Sequence, residues 1–587
     1  MHLDEFLKVV GEFGPYQKRQ YVLVCLVSSY AAVVIFSLVF FSVAPEHHCT
    51  IPAAYKELSQ KFYGKNVSEE KIYNMSIPWV EGKNGIFERS SCFLISLKNY
   101  ENNSSIGNAT IPLNTSVADA FEQKFSVDNQ TFEACPEGRT YSQKTYASTI
   151  VSEFDLKCEN EWQISFSKSM LFIGKLVGDL LSGMVCDRFG RRPTFLVSMF
   201  LSLVVGVLLA LSPVMAVYTT ALFILGFLNP FYYLSVFTLG LEFTGAGKRN
   251  ITGFVLHIFF GVGTFYVVLF AYFIRNWRHL ALAMFSPCFL FGIYWFLLPE
   301  SFRWLLSRGR TEEAKKVLNK VVEVNKAEVE EGLVASLLDG IEKPSKTTTD
   351  TATALDMVRT WRRAVFTLNI CFNWLVNAMV YYGLSLNVES LGGSLYLNFI
   401  LMGAIEIPAY GSLVLIIDRL GRRKTLFFYM VTAGVACIVS GVLPYELHWL
   451  IITTAVVGKM CISASFGVIY LLTPECYPTT MRIVALGTAS AFGRVGSALA
   501  PQVILLQEIM TSLPFIFIGV MSITAGILSL FFPETVRRKL PQNTAEFDEL
   551  LRSPIFRTEK HELDKDSSNE LLDLKKDPRR EKSDVSI

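Results

Sequence analysis

Charge is scarce in this chain. Asp, Glu, Lys and Arg make up 18% of its 587 residues, whereas 51% are hydrophobic. A soluble chain of this length needs more charge to cover its surface, so a soluble multidomain enzyme is excluded, as is a disordered chain. Histidine is scarce too, with seven scattered residues, His47 and His48 among them in a polar stretch. No His/Cys/Asp/Glu cluster has metal-site spacing and no phosphate loop precedes a helix, so neither metal-assisted catalysis nor ATP-driven transport is expected. No catalytic residue, metal ligand or cofactor is assigned. Net charge is only +2, and no nucleic-acid partner is expected. The first twenty residues carry Asp4, Glu5, Lys8, Lys18 and Arg19 before the apolar run that opens at Tyr21. That is not a cleavable signal peptide, and the first span is read as its own insertion signal.

Apolar sequence fills the chain instead. Twelve runs fall at 21–43, 164–186, 194–211, 217–243, 253–273, 280–298, 364–382, 395–417, 425–443, 447–473, 485–506 and 513–532. About 20 apolar residues span a bilayer as a helix, and lipid leaves no backbone polar group unpaired, so these runs are predicted to be helices. Forty-six Phe and 23 Tyr suit lipid-facing and interfacial positions. The fold class is an all-α membrane protein. A terminus at 1–20 precedes the first span. A polar loop occupies 44–163, five spans 164–298, a charged connection 299–363, six spans 364–532 and a charged tail 533–587.

Basic residues gather on one side of this plan. Asp187-Arg-Phe-Gly-Arg-Arg192 follows span 2, Lys248-Arg249 span 4, and Arg303, Arg308, Arg310, Lys315 and Lys316 span 6. Asp418-Arg-Leu-Gly-Arg-Arg-Lys424 follows span 8, Arg482 span 10 and Arg537-Arg-Lys539 span 12. The positive-inside rule makes that side cytoplasmic, with both termini inside and 44–163 outside the plasma membrane. The loop's chemistry fits: it carries sequons at Asn66, Asn74, Asn102, Asn103, Asn108, Asn114 and Asn129. Asn250 is also in a sequon but lies on the inner side, and is expected to stay unmodified. Cys49, Cys92, Cys135 and Cys158 lie in the loop and suggest two disulfides, with three pairings open.

The chain also repeats itself. Asp187-Arg-Phe-Gly-Arg-Arg192 recurs at Asp418 with an offset of 231, Glu242 at Glu475 with 233, and Pro299-Glu-Ser at Pro533-Glu-Thr with 234. Three markers at nearly one offset describe two parallel six-helix halves, the plan of a rocker-type transporter with its site between the halves. Asp187, Arg188, Arg191, Arg192, Glu242, Glu300 and Arg303 in one half form a candidate gate network. Asp418, Arg419, Arg422, Glu475 and Arg482 form its counterpart in the other. These networks are expected to clasp the halves together when the carrier faces outward and to break as the inside opens.

These features resemble the major facilitator superfamily, through Gly183-x3-Asp187-Arg-x-Gly-Arg-Arg192. More narrowly, Ser148-Thr-Ile-Val-Ser-Glu-Phe-Asp-Leu-Lys-Cys158, Pro299-Glu-Ser-Phe-Arg-Trp-Leu305 and Glu475-Cys-Tyr-Pro-Thr479 resemble the organic cation, anion and zwitterion transporter family. Phe273-Ile-Arg-Asn-Trp277, Tyr382-Gly-Leu-Ser-Leu386 and Glu406-Ile-Pro-Ala-Tyr410 look most like its carnitine branch. The resemblance implies a twelve-helix fold and alternating-access transport of small organic ions.

Charges within spans are the candidate substrate ligands, because lipid does not tolerate them. Arg494 lies in mid-span 11, at a position that the resemblance makes acidic in cation carriers and Arg in anion and zwitterion carriers. A guanidinium can hold a carboxylate with two hydrogen bonds. The bland alternative is an ion pair with Glu406 or another helix. Tyr232, Tyr233, Tyr381, Tyr382 and Tyr470 are candidates for cation–π contact with a quaternary ammonium. Glu406 could balance a cation or pair with Lys459 or Arg494. Lys175 and Asp179, at i and i+4, depart from carnitine-type relatives and are read first as a self-neutralised pair. Tyr30-Ala31 replaces the Pro-Asn of those relatives, which weakens the case for sodium; coupling by sodium or a proton stays open. The expectation is a carrier of carnitine-like zwitterions or organic cations, with an organic anion carrier and a non-transporting receptor as alternatives. Residues 311–318 have an amphipathic helical pattern, and Val585-Ser-Ile587 could dock in a PDZ-type scaffold.

Overall fold

The computed structural model describes residues 3–63, 67–81, 87–97, 110–111, 126–127, 130–327, 334, 354–478, 481–536, 541 and 544–552. Twelve helical spans run through it. The first half holds α1 Pro15–Phe41, α2 Trp162–Phe189, α3 Arg191–Ala210, α4 Met215–Phe243, α5 Arg249–Phe273 and α6 Trp277–Leu297. The second holds α7 Trp361–Leu386, α8 Leu395–Leu420, α9 Arg422–Val442, α10 His448–Cys476, α11 Arg482–Ile504 and α12 Leu513–Ser529. Eleven are long and apolar enough to cross a membrane, and α12 is a shorter apolar helix of 17 residues. At 1.5 Å per residue it rises about 25 Å, close to the hydrocarbon thickness. Most helices begin before the apolar run that marks them, because the polar flank keeps helical hydrogen bonding outside lipid.

Apolar side chains gain nothing by leaving lipid for one another, so close backbone approach must hold the bundle together. Glycine supplies it. A Cβ on Gly174 or Gly178 of α2 would collide with the Phe223 and Phe227 carbonyls of α4, and one on Gly226 of α4 with the Leu171 carbonyl. In the second half Gly496 of α11 lies against the Leu375 carbonyl of α7, and Gly434 of α9 against Gly519 of α12. The halves meet where α2 packs on α11 and α5 on α8.

Helices Leu3–Val10 and Thr544–Arg552 and the Arg-rich turns share one face, here the basic face; the described residues of 44–161 lie on the other, the loop face. The described part of the loop is a small α/β unit, which apolar periodicity alone did not reveal. His47–Cys49 pairs antiparallel with Arg139–Tyr141, and Phe93–Ile95 with Gln130–Ala134. Disulfides Cys49–Cys135 and Cys92–Cys158 select one of the three open pairings. Among the sequons, Asn74 is exposed on helix Glu69–Ser76; Asn66, Asn102, Asn103, Asn108, Asn114 and Asn129 lie outside the described residues.

The 148–158 segment locks this unit to the bundle. Glu153 accepts from Trp277 Nε1 at 2.7 Å and from Arg278 Nη2 at 2.5 Å. Arg278 also donates to the Ala210 and Ser212 carbonyls at the end of α3. Burial favours the neutral carboxyl of Glu153, but the bonds from Arg278 and Trp277 outweigh it and hold the pKa below its ordinary value. A lowered carboxylate pKa adds stability above the ordinary carboxylate range and loses it as pH falls. Acidification below about pH 4 should therefore lower the melting temperature of wild type more than that of Glu153→Gln, measured on detergent-solubilised protein.

The first and last described helices, Leu3–Val10 and Thr544–Arg552, are built into the basic face. Asn325, the last residue of helix Thr311–Asn325, donates to the Val10 carbonyl and Gln17 Oε1 and accepts from the Tyr16 amide. Helix Thr544–Arg552 lies in the stretch that its composition marks only as charged tail. It buries Phe547 against Phe366 and Tyr477, and its Asp548 takes two 2.6 Å bonds from Arg363.

Candidate functional site

One geometric pattern sets the charges between the halves. In α2, Gly174 and Gly178 turn toward α4, so Lys175 and Asp179, one position on, are rotated about 100° away from that packed face. In α11, Gly493 and Gly496 turn toward α7, and Arg494 between them faces the other way. Arg494 Nε then meets Asp179 Oδ2 at 2.5 Å, an ion pair between the two halves at mid-depth. The expected pairing of Asp179 with Lys175 is corrected: Asp179 is taken by Arg494, whose planar donor reaches across the interface. Lys175 is 5% exposed, and its ammonium makes no hydrogen bond or ion pair among the described residues.

Glu406 is not the partner of Arg494 either. It starts the second segment of α8, just after the helix breaks at Ile405, and is 2% exposed. Lys459 Nζ lies 3.2 Å from its carboxylate, and Tyr381 donates to it at 2.5 Å. Lys459 also donates to Ser385 Oγ at 2.7 Å and sits 3.1 Å from the centre of the Tyr381 ring. Gly261 of α5 leaves room for the carboxylate, since a Cβ there would come within 2.9 Å of Glu406 Oε2. The face of Tyr381 therefore already carries a cation, the protein's own.

The other tyrosines divide. Tyr232 is fully buried within the first half, bonded to Asn229 and packed on Tyr30, so it does not line the interface as expected. Tyr382 packs on Phe172 across the halves at 4.7 Å, and Tyr382 and Tyr470 both lie within electrostatic range of Arg494. Tyr233, against Phe260 and Phe237, is partly exposed. Sequence reasoning missed His257, which stacks on Tyr410 and approaches Tyr470 across the halves at about 6 Å. It also missed Trp374, whose ring meets Tyr470 at 4.4 Å. Their signal was only a polar or aromatic residue in a span, too common to single them out. A separate cavity of about 430 Å³, lined by Trp162, Phe166, Met170, Met215 and Phe223, holds none of these charges.

On the basic face the repeat is visible as geometry. Arg191 pairs with Asp187 at 2.9 Å and Glu242 at 3.1 Å; Arg422 pairs with Asp418 at 2.9 Å and Glu475 at 3.3 Å. Glu300 accepts from the amides of Arg191 and Arg192 at the start of α3, and Glu534 from those of Arg422 and Arg423 at the start of α9. Each carboxylate satisfies helix-end N–H groups and complements the helix dipole. Burial nevertheless pushes the Glu300 carboxyl up, against the pull of the amides of Ser301, Arg192 and Arg191. Gly190 and Gly421 are required, because φ is +102° and +88° and a Cβ would strike the Glu300 or Glu534 carboxylate. Glu534 was not singled out from sequence, although Pro533-Glu-Thr held the signal.

The clasp between halves is an expectation for the outward-facing carrier, whereas here the halves are joined toward the loop face. These Arg pairs lie within one half each, because helix-end carboxylates of the same half reach the turns first. Arg303 bonds the Glu242 carbonyl and Arg482 the Tyr477 carbonyl, again within a half. Arg188 and Arg419 are exposed, with no ion pair among the described residues. Contacts that do join the halves cluster toward the loop face: Ser169 Oγ to the Ala498 carbonyl, Ala44 to Glu389, and Phe36 and Phe40 to Phe399. Glu534→Ala should unpin the start of α9 and lower stability by about 1–2 kcal/mol, read as a lower melting temperature.

Comparison with known proteins agrees with this architecture. The family model described as sugar (and other) transporter matches residues 112–547. An organic cation transporter protein of Drosophila melanogaster is 34% identical over 562 residues, covering 94% of this chain and 96% of its own. Organic cation/carnitine transporter 2 of Mus musculus is 32% identical, covering 94% of each chain. Among solved structures, the xylose transporter XylE from E. coli in a partially occluded inward-open conformation superposes with a TM-score of 0.52. It shares 18% identity and covers 65% of this chain and 90% of that one. With two six-helix halves meeting at a charged mid-depth site, the chain belongs to the sugar (and other) transporter family of the major facilitator superfamily, beside the organic cation and carnitine transporters, and is a secondary transporter rather than an enzyme.

Proposed function

We propose that this protein is a plasma-membrane carrier of small organic ions, first of carnitine-like zwitterions and next of organic cations. The carrying observation is the Arg494 guanidinium at mid-depth between the halves, bonded to a carboxylate that an incoming carboxylate can replace. Tyr382, Tyr470 and Tyr233 supply aromatic faces for the ammonium end. Relatives named for organic cations and carnitine support the same substrate class. The positive-inside rule supports a cytoplasmic basic face and, with it, cytoplasmic termini. Contacts joined toward the loop face suit a carrier open to the cytoplasm, and the Arg networks would keep each half rigid while it rocks. Asn74 and the other sequons would carry glycans. A PDZ-type partner would bind Val585-Ser-Ile587, which lies outside the described residues.

The test is uptake in oocytes of labelled carnitine, tetraethylammonium and p-aminohippurate, with and without sodium. Carnitine uptake supports the zwitterion reading, and the sodium arm reports coupling. Uptake of p-aminohippurate alone makes it an anion carrier. Binding without uptake makes it a receptor.

A further inference from the structure

We propose that Asp179 is a built-in competitor for the substrate carboxylate, and that Lys175 is the partner it moves to when displaced. This rests on the reading of Arg494 as the carboxylate clamp. The site holds two cations and one anion. Asp179 sits on Arg494 at 2.5 Å. Lys175, one turn back on the same face of α2, is 5% exposed and has no hydrogen bond or ion pair among the described residues. Both Asp179 and Arg494 lie within electrostatic range of it. A buried ammonium without a counter-ion is costly, so the empty site has one positive charge too many.

One carboxylate corrects this. It takes the Arg494 guanidinium, and Asp179 turns to Lys175 at the i−4 position, where side chains meet on a helix face. Two ion pairs replace one. The exchange also unties the halves, because Asp179–Arg494 joins α2 of one to α11 of the other, whereas Asp179–Lys175 lies within α2 alone. Binding is thereby linked to the movement of the halves. A plain cation cannot make this exchange, since it adds to the excess charge instead of cancelling it.

The test uses the full chain in oocytes with surface levels measured, and labelled carnitine or p-aminohippurate, whichever is carried. Asp179→Asn removes the competitor and should lower KM about tenfold. Lys175→Met strands the displaced Asp179 and should raise KM about tenfold, while Lys175→Arg stays near wild type. The double variant Lys175→Met with Asp179→Asn should keep the lowered KM of Asp179→Asn rather than return to the wild-type value that simple addition gives, because no anion then needs a new partner. A raised KM or lost uptake in Asp179→Asn overturns the proposal, as does simple addition of the two single effects. If Lys175→Met does not reach the surface, the Asp179→Asn and double variants decide alone. Normal uptake by Arg494→Ala is a different result: it removes the clamp itself.

Discussion

Arg494→Ala should reduce uptake of a carboxylate-bearing substrate below about 1% of wild type while the protein still reaches the cell surface. Hydrogen bonds to charged groups are worth about 1.5–3 kcal/mol each, and a guanidinium offers a carboxylate two. Losing both removes about 3–6 kcal/mol, which is a hundredfold or more in affinity. Surface expression should survive because Asp179, deprived of Arg494, has Lys175 one turn away. Arg494→Lys should be intermediate, since an ammonium keeps the charge but not the fork. Radiotracer uptake normalised to biotinylated surface protein checks both statements.

Lys459→Ala should fail in the opposite way, by losing the protein rather than the substrate. Glu406 would remain at 2% exposure with its counter-ion gone. Breaking a buried pair on one side costs about 3–5 kcal/mol, a large share of the roughly 5–15 kcal/mol that folded proteins hold in reserve. The variant should be retained inside the cell or melt well below wild type. Lys459→Met combined with Glu406→Gln should recover most of the loss. The charge disappears from both sides, and the side-chain amide that replaces the carboxylate can still accept from the Tyr381 hydroxyl. Wild-type melting by Lys459→Ala would show that the pair is not the closed unit the distances describe.

Much of this was legible in the sequence, for identifiable reasons. Lipid forces helices, so twelve apolar runs gave twelve spans with ends displaced by a few residues. The 231–234 offset located both Arg-rich turns, and the structure shows the same geometry at each. Partners were harder to read than positions. Arg494, Lys175, Asp179, Glu406 and Lys459 were all visible as charges within spans, but which met which depends on helix rotation. That rotation is set by glycines such as Gly178 and Gly496, which approach other helices far away in sequence. The same limit sent Tyr232 into the first half and left Glu534 unnoticed. The loop's strands are short, three residues at His47–Cys49 and Phe93–Ile95, and no alternation of that length stands out from a polar background.

The central claim is that the charge at position 494 sets the sign of substrate the site accepts. Its most direct test is the ratio of carnitine to tetraethylammonium uptake by Arg494→Asp, measured beside wild type at matched surface level. The predicted result is loss of carnitine uptake with a ratio shifted toward tetraethylammonium. An unchanged ratio, with carnitine still carried, would contradict it.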